Sequence, residues 1–292
     1  MLTISQSEYY EKLRPLDFKR KLKCESIPLN KQEEKAVRAS AGMLLWLGIQ
    51  SRPDIMYSVL QAASNAKTER GAFCVNKIVR MLQRTGEIKT IYRKFWRTDV
   101  ISLVLYIDSG LGKEEGAKSQ SGYMVLVAAA ADGSDPHAIH PESNLVAHVV
   151  HYVSRTQRRV AHNSLAADSF ASVSGNDLHL AIASQLAAFT DVSICLHYIT
   201  DCMSLLTAIL STNPKVEELK LLPTAMKIRE QLAEKDQRLY HTPGNKNPTD
   251  PLTKCLSRCA STVIILRKIM ETGAIDGTLL SPLPRKLASN LK

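Results

Sequence analysis

The sequence predicts an α/β fold in which a mixed five-stranded sheet is flanked by helices and preceded by a small helical region. Two observations predict it. Apolar residues recur at helical spacing through residues 1–97, whereas from about residue 98 apolar runs bounded by glycine and proline indicate strands. The predicted elements then follow the order βββαβαα-β-α, so the first three strands are expected to be antiparallel. We therefore divide the chain into residues 1–97, 98–255 and 256–292.

The helical region begins with a predicted helix over residues 31–50, where helix-forming residues precede an apolar block. Ser51 is expected to be the N-cap of a new helix and Pro53 its first-turn proline. A further helix is predicted around Phe73 and Ile78, because apolar residues repeat there every three or four positions. Together these segments predict a small bundle with basic faces.

Five strands and three helices are predicted in the second region. The strands are expected at residues 100–107, 122–128, 145–154, 194–200 and 238–242. The helices are expected at residues 164–189, 202–210 and 216–235. Residues 131–144 form a polar loop that is longer than most hairpin connections.

Composition limits the classes of function. With 45% hydrophobic and 23% charged residues among 292, the chain can bury a sizeable core. Its formal net charge of +10 favours a polyanionic partner such as nucleic acid. The longest apolar runs are too short to span a bilayer and no signal-peptide pattern is present, so we expect no membrane partner and a cytoplasmic or nuclear location. The spacing of the six cysteines predicts reduced thiols.

Four aspartates lie where a metal-dependent nuclease would need them. Asp108 ends the first predicted strand of the sheet and Asp201 ends the fourth, while Asp168 lies in a helix and Asp250 opens a short helical segment. A carboxylate at the C-terminal end of a strand projects into the crevice where open α/β sheets bind ligands. Each aspartate alone would more often be a turn residue or a cap. The four in this order predict oxygen ligands for a pair of Mg²⁺ ions, which such sites hold roughly 3.5–4 Å apart.

Seven short words of the sequence, in order, are similar to words of one family. They lie at residues 2–10, 43–55, 78–86, 118–123, 163–168, 201–204 and 247–254. The last reads N-P-T-D-P-L-T-K and is close to the family's "N-P-A-D-I-L-T-K". The chain thus resembles the C-terminal part of a copia-type retrotransposon polyprotein, from the end of the reverse transcriptase through ribonuclease H.

The resemblance implies a ribonuclease H-like domain over residues 98–255, after a reverse-transcriptase thumb or connection region over residues 1–97. Its catalytic and metal-binding positions match Asp108, Asp168, Asp201 and Asp250. These would bind two Mg²⁺ ions, or Mn²⁺ in their place, and hydrolyse the RNA strand of an RNA–DNA hybrid. The paired-aspartate word of the polymerase palm is absent, so the resemblance also implies a separate palm and fingers segment as a partner.

Basic and hydroxyl side chains near these aspartates are expected to bind the hybrid or another nucleic acid. They are Lys118, Ser119, Ser121, Arg155, Arg158 and Arg159. A solvated turn is an equal alternative for the first three. Some cellular and retroviral relatives have a histidine that assists product release, and His241 lies in a comparable place before Asp250. Its surroundings indicate a strand end, so a catalytic role is not expected for it. Phosphate contacts of this kind would position a substrate without reading its sequence.

Departures from the family leave a second hypothesis open. Position 168 is Asp where the family has Glu, and Ala166 replaces a second acid. The chain could therefore be a catalytically degenerate or host-adopted protein that binds nucleic acid or acts structurally. A transposase or integrase relative is disfavoured, because the last acid there is Glu and here it is Asp250. Residues 256–292 resemble nothing in the family.

Overall fold

The computed structural model describes residues 1–95, 100–112, 118–130, 144–211, 221–234, 237–276 and 279. Its strands are β1 Leu2–Ile4, β2 Thr90–Tyr92, β3 Val100–Gly110, β4 Gln120–Ala130, β5 Asn144–Thr156, β6 Ser193–Thr200, β7 Arg238–His241 and β8 Ala274–Asp276. Its helices are α1 Ser7–Tyr10, α2 Lys31–Gln50, α3 Met56–Ser64, α4 Glu69–Thr85, α5 Ser164–Phe189, α6 Met203–Leu210, α7 Leu222–Glu234 and α8 Ala260–Thr272. Short 3₁₀ turns occupy Pro53–Ile55, Gly244–Lys246, Asp250–Leu252 and Leu256–Arg258.

Helix α2 begins where the sequence predicts, at a reciprocal cap. The side chain of Asn30 accepts a hydrogen bond from the backbone N–H of Glu33 at 2.9 Å, and the Glu33 carboxylate accepts one from the N–H of Asn30 at 3.2 Å. This capping box satisfies two N–H groups that the first helical turn leaves without partners. The predicted bounds of residues 31–50 are confirmed.

The predicted role of Ser51 is wrong. Ser51 ends α2 instead of starting the next helix, because its backbone N–H donates to the carbonyl of Leu47 at 3.0 Å. The 3₁₀ turn Pro53–Ile55 then leads into α3, and no side chain caps that turn. Helices α2, α3 and α4 pack around a common apolar core that includes Leu44, Val59 and Val75.

The main sheet is mixed, as predicted, but it has six strands in the order β7-β6-β3-β4-β5-β8. The pairs β3/β4, β4/β5 and β5/β8 are antiparallel, while β3/β6 and β6/β7 are parallel. The first three strands are therefore antiparallel, as the element order indicated. The count of five was wrong because β8, in the segment that resembled nothing, has only three residues and so too little alternation to be recognised.

Strand β3 is the centre of the fold and is buried on both faces. Leu103, Leu105 and Ile107 pack on the side of α5, α6 and α7. Val104 and Tyr106 alternate with them and pack on the opposite side with residues of α8. Burying a side chain of this size stabilises the fold by about 1.5–3 kcal/mol. The alternation fixes which face each residue near the end of β3 can reach.

A second, smaller sheet was not predicted. Strands β1 and β2 form a two-stranded antiparallel sheet within the region predicted to be helical. Of the predicted loop 131–144, residues 131–143 lie outside the described residues, as do residues 216–220 and 235 of the predicted helix 216–235.

All six cysteines are free thiols, as predicted. Among the described residues, no helix has both the length and the apolarity that crossing a bilayer requires.

A buried group of ion pairs joins the helical region to α8. Arg52 donates to both carboxylate oxygens of Asp54, at 2.7 and 2.8 Å, and Arg267 of α8 donates to the same carboxylate at 2.8 Å. Burial alone would raise the pKa of Asp54, but the two guanidinium groups hold it below its usual value. Asp54 therefore remains charged in the interior.

Candidate metal centre

Three aspartates from separate parts of the chain meet at the carboxyl ends of β3 and β6. Asp108 lies near the end of β3 and Asp201 directly follows β6, which runs parallel to β3 with Ile107 paired to Thr200. Asp250 begins the 3₁₀ turn Asp250–Leu252. One carboxylate oxygen from each aspartate lies within 4.8 Å of the others. We call these three residues the aspartate cluster.

Gly122 allows the segment that carries Asp250 to reach the sheet. Gly122 of β4 pairs with Asp108 of β3. A Cβ atom at position 122 would lie 2.6 Å from Cγ2 of Thr253 and 2.9 Å from Cβ of Leu252, which is closer than side-chain atoms pack. Because this space is empty of a side chain, the hydroxyl of Thr253 can donate a hydrogen bond to Oδ2 of Asp108.

Asn247 fixes the start of the same segment against β3. Its Nδ2 donates to the carbonyl of Ile107 at 2.9 Å and to Oδ1 of Asp201 at 3.3 Å. Its Oδ1 accepts a hydrogen bond from the backbone N–H of Thr249 at 3.1 Å. A fully buried amide with partners on both sides is a strong positional constraint. Asn247 thereby orients Asp201 and the turn that presents Asp250.

Lys254 places an ammonium group among these carboxylates. Its Nζ lies 2.6 Å from Oδ1 of Asp250 and 3.3 Å from the carboxylate of Asp108. Lys254 lies within a family-like word of the sequence, but no role was predicted for it. Its spacing of four residues from Asp250 was the available signal, since such pairs meet on one face of a helical turn.

The fourth predicted aspartate has a different immediate partner. Asp168 of α5 is buried, and its Oδ1 accepts a hydrogen bond from the hydroxyl of Ser109 at 2.6 Å. Ser109 follows Asp108, so its side chain points to the α5 face of β3 while that of Asp108 points to the other face. The structure thus brings three of the four aspartates into one group and turns Asp168 towards Ser109.

Burial and mutual repulsion raise the pKa of these acids. Burial, followed by the charge of Asp108, raises the pKa of Asp250 to about 7 and that of Asp201 to about 6. The same two causes raise the pKa of Asp168 to about 7. Burial opposes the charge on Lys254, yet the neighbouring carboxylates raise its pKa above the usual lysine value. Negative charge is therefore concentrated where water solvates it poorly.

The donor set fits a hard divalent cation. Three carboxylates offer only oxygen ligands, which Mg²⁺ and Mn²⁺ prefer over nitrogen or sulfur. A bound cation would also relieve the repulsion that raises the pKa of Asp201 and Asp250. Asp108, Asp201 and Asp250 are the residues that could hold it.

The serines and arginines predicted to bind substrate occupy two environments. Ser119 and Ser121 are buried, and their hydroxyls accept hydrogen bonds from the N–H of Gly112 at 3.2 Å and from Nε2 of Gln157 at 2.9 Å. The arginines line an open cavity of about 490 Å³, together with Phe170 and Ser121. The lining arginines are Arg155, Arg158 and Arg159. Lys118 is exposed, and His241 ends β7 opposite Thr200, as its surroundings indicated.

A second basic surface begins next to the aspartate cluster. A groove of about 460 Å³ lies between α3, α4 and the turn Leu256–Arg258, which starts two residues after Lys254. Its four cations are Arg70, Lys77, Arg84 and Arg258, and no carboxylate is among the described residues that line it. We call it the α3–α4 groove. The basic faces of this bundle were predicted from the sequence, but the groove was not.

Several solved structures have similar folds. LC11-RNase H1, isolated from compost and solved in complex with an RNA/DNA hybrid, is 15% identical, with 54% of this chain and 99% of that chain covered and a TM-score of 0.36. RNase H1 from Halobacterium salinarum is 16% identical, with 55% and 97% covered and a TM-score of 0.34. The protease-reverse transcriptase of prototype foamy virus is 13% identical, with 66% and 22% covered and a TM-score of 0.29. At these identities the likeness concerns the fold alone.

The sequence matches no protein-family model and no curated protein. What can be inferred about function therefore comes from the chemistry of the aspartate cluster and of the basic surfaces beside it.

Proposed function

We propose that this chain is a metal-dependent nuclease of the ribonuclease H type, which hydrolyses the RNA strand of an RNA–DNA hybrid. The observation that carries the proposal is the meeting of Asp108, Asp201 and Asp250 within 4.8 Å, at the carboxyl ends of two adjacent parallel strands. Hydrolysis adds water across the phosphodiester bond, breaks the bond to the 3′ oxygen and leaves a phosphate on the other fragment.

The residues of the cluster would hold the metal and would not themselves react. Two Mg²⁺ ions, or Mn²⁺, are the cofactors that the sequence resemblance implies, with Asp168 as a fourth ligand. A divalent ion supplies a Lewis acid beside the scissile phosphate. Asn247 and Thr253 keep Asp201 and Asp108 in place through the hydrogen bonds described above. Preorganised ligands of this kind reduce the reorganisation that binding would otherwise cost.

Two basic surfaces of the molecule support a nucleic-acid substrate. Arg155, Arg158 and Arg159 are exposed around one cavity, and the cations of the α3–α4 groove lie on the other surface. The net charge of +10 adds a general attraction for phosphate backbones. Recognition of a hybrid would rest on groove shape and 2′-hydroxyl contacts, which side chains can reach without reading bases.

The origin of the chain is a separate part of this proposal and rests on the sequence words alone. We assign the chain to a copia-type retrotransposon polyprotein, with residues 1–97 as a thumb or connection region, residues 98–255 as the nuclease domain and residues 256–292 as an extension. A palm and fingers segment of a reverse transcriptase would then be its partner.

Cleavage of a labelled RNA–DNA hybrid in Mg²⁺ tests the proposed activity. Asp201→Asn keeps the size of the side chain but removes one metal-binding charge, so activity should fall to the level seen with a chelator. Asp177→Asn is the matched control, because Asp177 is exposed and pairs with Lys227 outside the cluster. Equal activity of the wild type and Asp201→Asn would overturn the catalytic assignment.

A non-catalytic nucleic-acid-binding protein is the second candidate. The observation that favours it is the contact of Lys254 with two of the three aspartates, together with the hydrogen bond that turns Asp168 towards Ser109. Salt-sensitive hybrid binding without metal-dependent cleavage would support this candidate.

A further inference from the structure

Three arginines line one open cavity beside the sheet. Arg155, Arg158 and Arg159 face a space of about 490 Å³ between the end of β5, α5 and the start of α7, which we call the arginine cavity. We propose that the arginine cavity binds the terminal 5′-phosphate of a nucleic-acid strand. This inference rests on the proposed function, whose reaction breaks the bond to the 3′ oxygen and thereby creates strand ends of this kind.

The charged groups that line the arginine cavity are all positive. Among the described residues of its lining there are three guanidinium groups and no carboxylate. None of the three arginines forms a salt bridge with an acid among the residues that the structure describes. Their side chains are also exposed to solvent. The three positive charges are therefore available to an anionic ligand.

Aromatic rings hold two of the three arginines in place. The guanidinium carbon of Arg155 lies over the ring of Tyr123, 5.8 Å from its centre, and that of Arg159 lies over the ring of Phe170 at the same distance. Stacking uses the face of a guanidinium group and leaves the N–H groups at its edge able to bind an anion. A side chain that is already held in this way loses less freedom when a ligand binds.

Hydrogen bonds join the wall of the arginine cavity to the surroundings of Asp168. Gln157, which also lines the cavity, is buried. Its Nε2 donates to the hydroxyl of Ser121 at 2.9 Å and to the carbonyl of Ala167, which precedes Asp168, at 2.8 Å. Ser121 pairs across the sheet with Ser109, whose hydroxyl donates to Asp168. The arginine cavity therefore lies on the same side of β3 as Asp168.

The charge of the ligand distinguishes a strand end from the internal backbone. An internal phosphate of a strand carries one negative charge. A terminal phosphate carries about 1.5 to 2 negative charges at pH 7 and offers three acceptor oxygens. Three arginines in one cavity match the terminal phosphate better, because each guanidinium can bind phosphate oxygens through two parallel N–H groups. A terminal phosphate is also joined to only one nucleotide, so it can enter a cavity from its open side.

Two hybrids that differ only at one end test the proposal. The RNA strand of one begins with a 5′-phosphate and that of the other with a 5′-hydroxyl. Fluorescence anisotropy in the presence of a chelator measures binding without cleavage. We expect the wild type to bind the phosphorylated hybrid about tenfold more tightly, which is the effect of one charge-assisted hydrogen bond. Equal affinities for the two hybrids would overturn the proposal.

The pH provides a second readout of the same preference. The second pKa of a phosphate monoester is about 6, so the terminal phosphate loses part of its charge in acid. The preference for the phosphorylated hybrid should therefore be larger at about pH 7.5 than at about pH 5. The hybrid with the 5′-hydroxyl corrects for any change in the protein. An equal preference at both pH values would contradict binding of the dianion.

Variants assign the preference to the arginine cavity. A variant with Arg155, Arg158 and Arg159 changed to glutamine should bind the two hybrids equally. The matched control removes the same charge from exposed positions outside the cavity and should keep the preference; its glutamines replace Lys31, Lys35 and Lys268. A preference that persists in the first variant, or that is lost in both, would overturn the assignment. Arg158→Gln alone should reduce the preference, and it decides the question should the triple variant not fold.

Adenosine 5′-monophosphate distinguishes a strand end from a free nucleotide, because it carries the same phosphate without the strand. It should displace the phosphorylated hybrid only at concentrations far above those at which the unlabelled hybrid does so. Displacement at equal concentrations would make the cavity a site for free nucleotides and overturn the assignment to strand ends.

The result does not depend on the proposed activity, because the chelator prevents metal-dependent cleavage. Equal affinities for the two hybrids, together with cleavage in Mg²⁺, would overturn the inference and leave the nuclease proposal intact. A preference for the phosphorylated hybrid without any cleavage in Mg²⁺ would overturn the nuclease proposal and support the phosphate site. Failure of the wild type to bind either hybrid would overturn both.

Discussion

Gly122 is the cross-strand partner of Asp108, and the lack of a side chain at Gly122 lets Thr253 reach the Asp108 carboxylate. A glycine at this position of β4 thus determines how the segment with Thr253 approaches Asp108 in the aspartate cluster. The same close approach brings Asp250 and Lys254 to the end of β3, since Lys254 directly follows Thr253 and Asp250 precedes it by three residues. The geometry of the aspartate cluster therefore depends on Gly122, which has no side chain that could bind a metal or a substrate.

Gly122→Ala should disturb both the fold and the metal site. The added Cβ would overlap Thr253 and Leu252, and overpacking of this kind costs about 1–3 kcal/mol. The free energy of unfolding should fall by this amount in a denaturant titration, and the affinity for Mn²⁺ should fall with it. Gly42→Ala is the control, because no atom outside the neighbouring backbone of α2 lies within 4 Å of a Cβ there and alanine favours the helix. Wild-type stability and Mn²⁺ affinity in Gly122→Ala would show that the segment approaches the sheet in some other way.

His179 gives the stability of the fold a dependence on pH. It is fully buried on α5 and its Nε2 donates to the carbonyl of Leu103 in β3 at 3.0 Å. Burial lowers its pKa to about 4, although the hydrogen bond raises it slightly. The folded state therefore binds the proton less readily than the unfolded chain, whose histidine titrates near 6.5. The stability that depends on a neutral His179 is fully present above pH 6.5 and is lost as the pH falls towards 4.

Comparison with His179→Gln isolates this effect, because glutamine keeps a donor but does not titrate. As the pH falls from 6.5 to 4, the free energy of unfolding of the wild type should decrease relative to that of His179→Gln by about 3 kcal/mol. This follows from about 1.4 kcal/mol for each unit by which the pKa is displaced. Urea titrations at several pH values measure it. A difference that does not change with pH would mean that His179 titrates normally.

The long helices could be predicted from sequence because their signals are local. Helix α5 has the predicted bounds of residues 164–189, and the side chain of Asn163 accepts a hydrogen bond at its start. Strands β1, β2 and β8 were missed because three residues contain too little alternation, and such strands form only when a distant partner supplies the hydrogen bonds.

In the candidate site, too, the local features could be predicted from the sequence and the long-range contacts could not. The setting of each aspartate, at a strand end, within a helix or at the start of a short helical segment, was visible in the sequence. The contact of Lys254 with Asp108 joins residues 146 positions apart, and no local pattern encodes that approach. The turn of Asp168 towards Ser109 depends on how α5 packs against β3, and its carboxylate is one methylene shorter than the glutamate of the resembled family.

Asp54→Asn should be strongly destabilising. Asp54 is the common partner of Arg52, which is fully buried, and of Arg267 on α8. Removing its charge would leave two guanidinium groups without their counter-ion, and breaking a buried pair from one side costs about 3–5 kcal/mol. The exposed pair of Asp177 and Lys227 provides the control, where Asp177→Asn should cost less than about 1 kcal/mol. Similar losses in the two variants would contradict the proposed connection between the helical region and α8.

The α3–α4 groove should bind the phosphate backbone next to the aspartate cluster. Arg70, Lys77 and Arg84 follow one another at intervals of seven residues on α4, so they lie on one face about 10.5 Å apart. Within the described chain none of the three forms an ion pair with a carboxylate, which leaves their charges available to phosphates. Replacing all three with glutamine should weaken hybrid binding and reduce its dependence on salt.

Salt dependence separates direct binding of phosphates from general attraction. Removing one cation that neutralises a phosphate should lower the slope of log affinity against log salt by about 0.9 for a duplex, so the slope of the triple variant should fall by up to about 2.7. A variant with Lys31, Lys35 and Lys268 changed to glutamine removes the same charge from exposed positions outside the groove, and its slope should remain near that of the wild type. Fluorescence anisotropy with a labelled hybrid at several salt concentrations gives both slopes. Because net charge changes equally, equal slopes in the two variants would assign the binding to overall charge, and a decrease confined to the groove variant assigns it to α4.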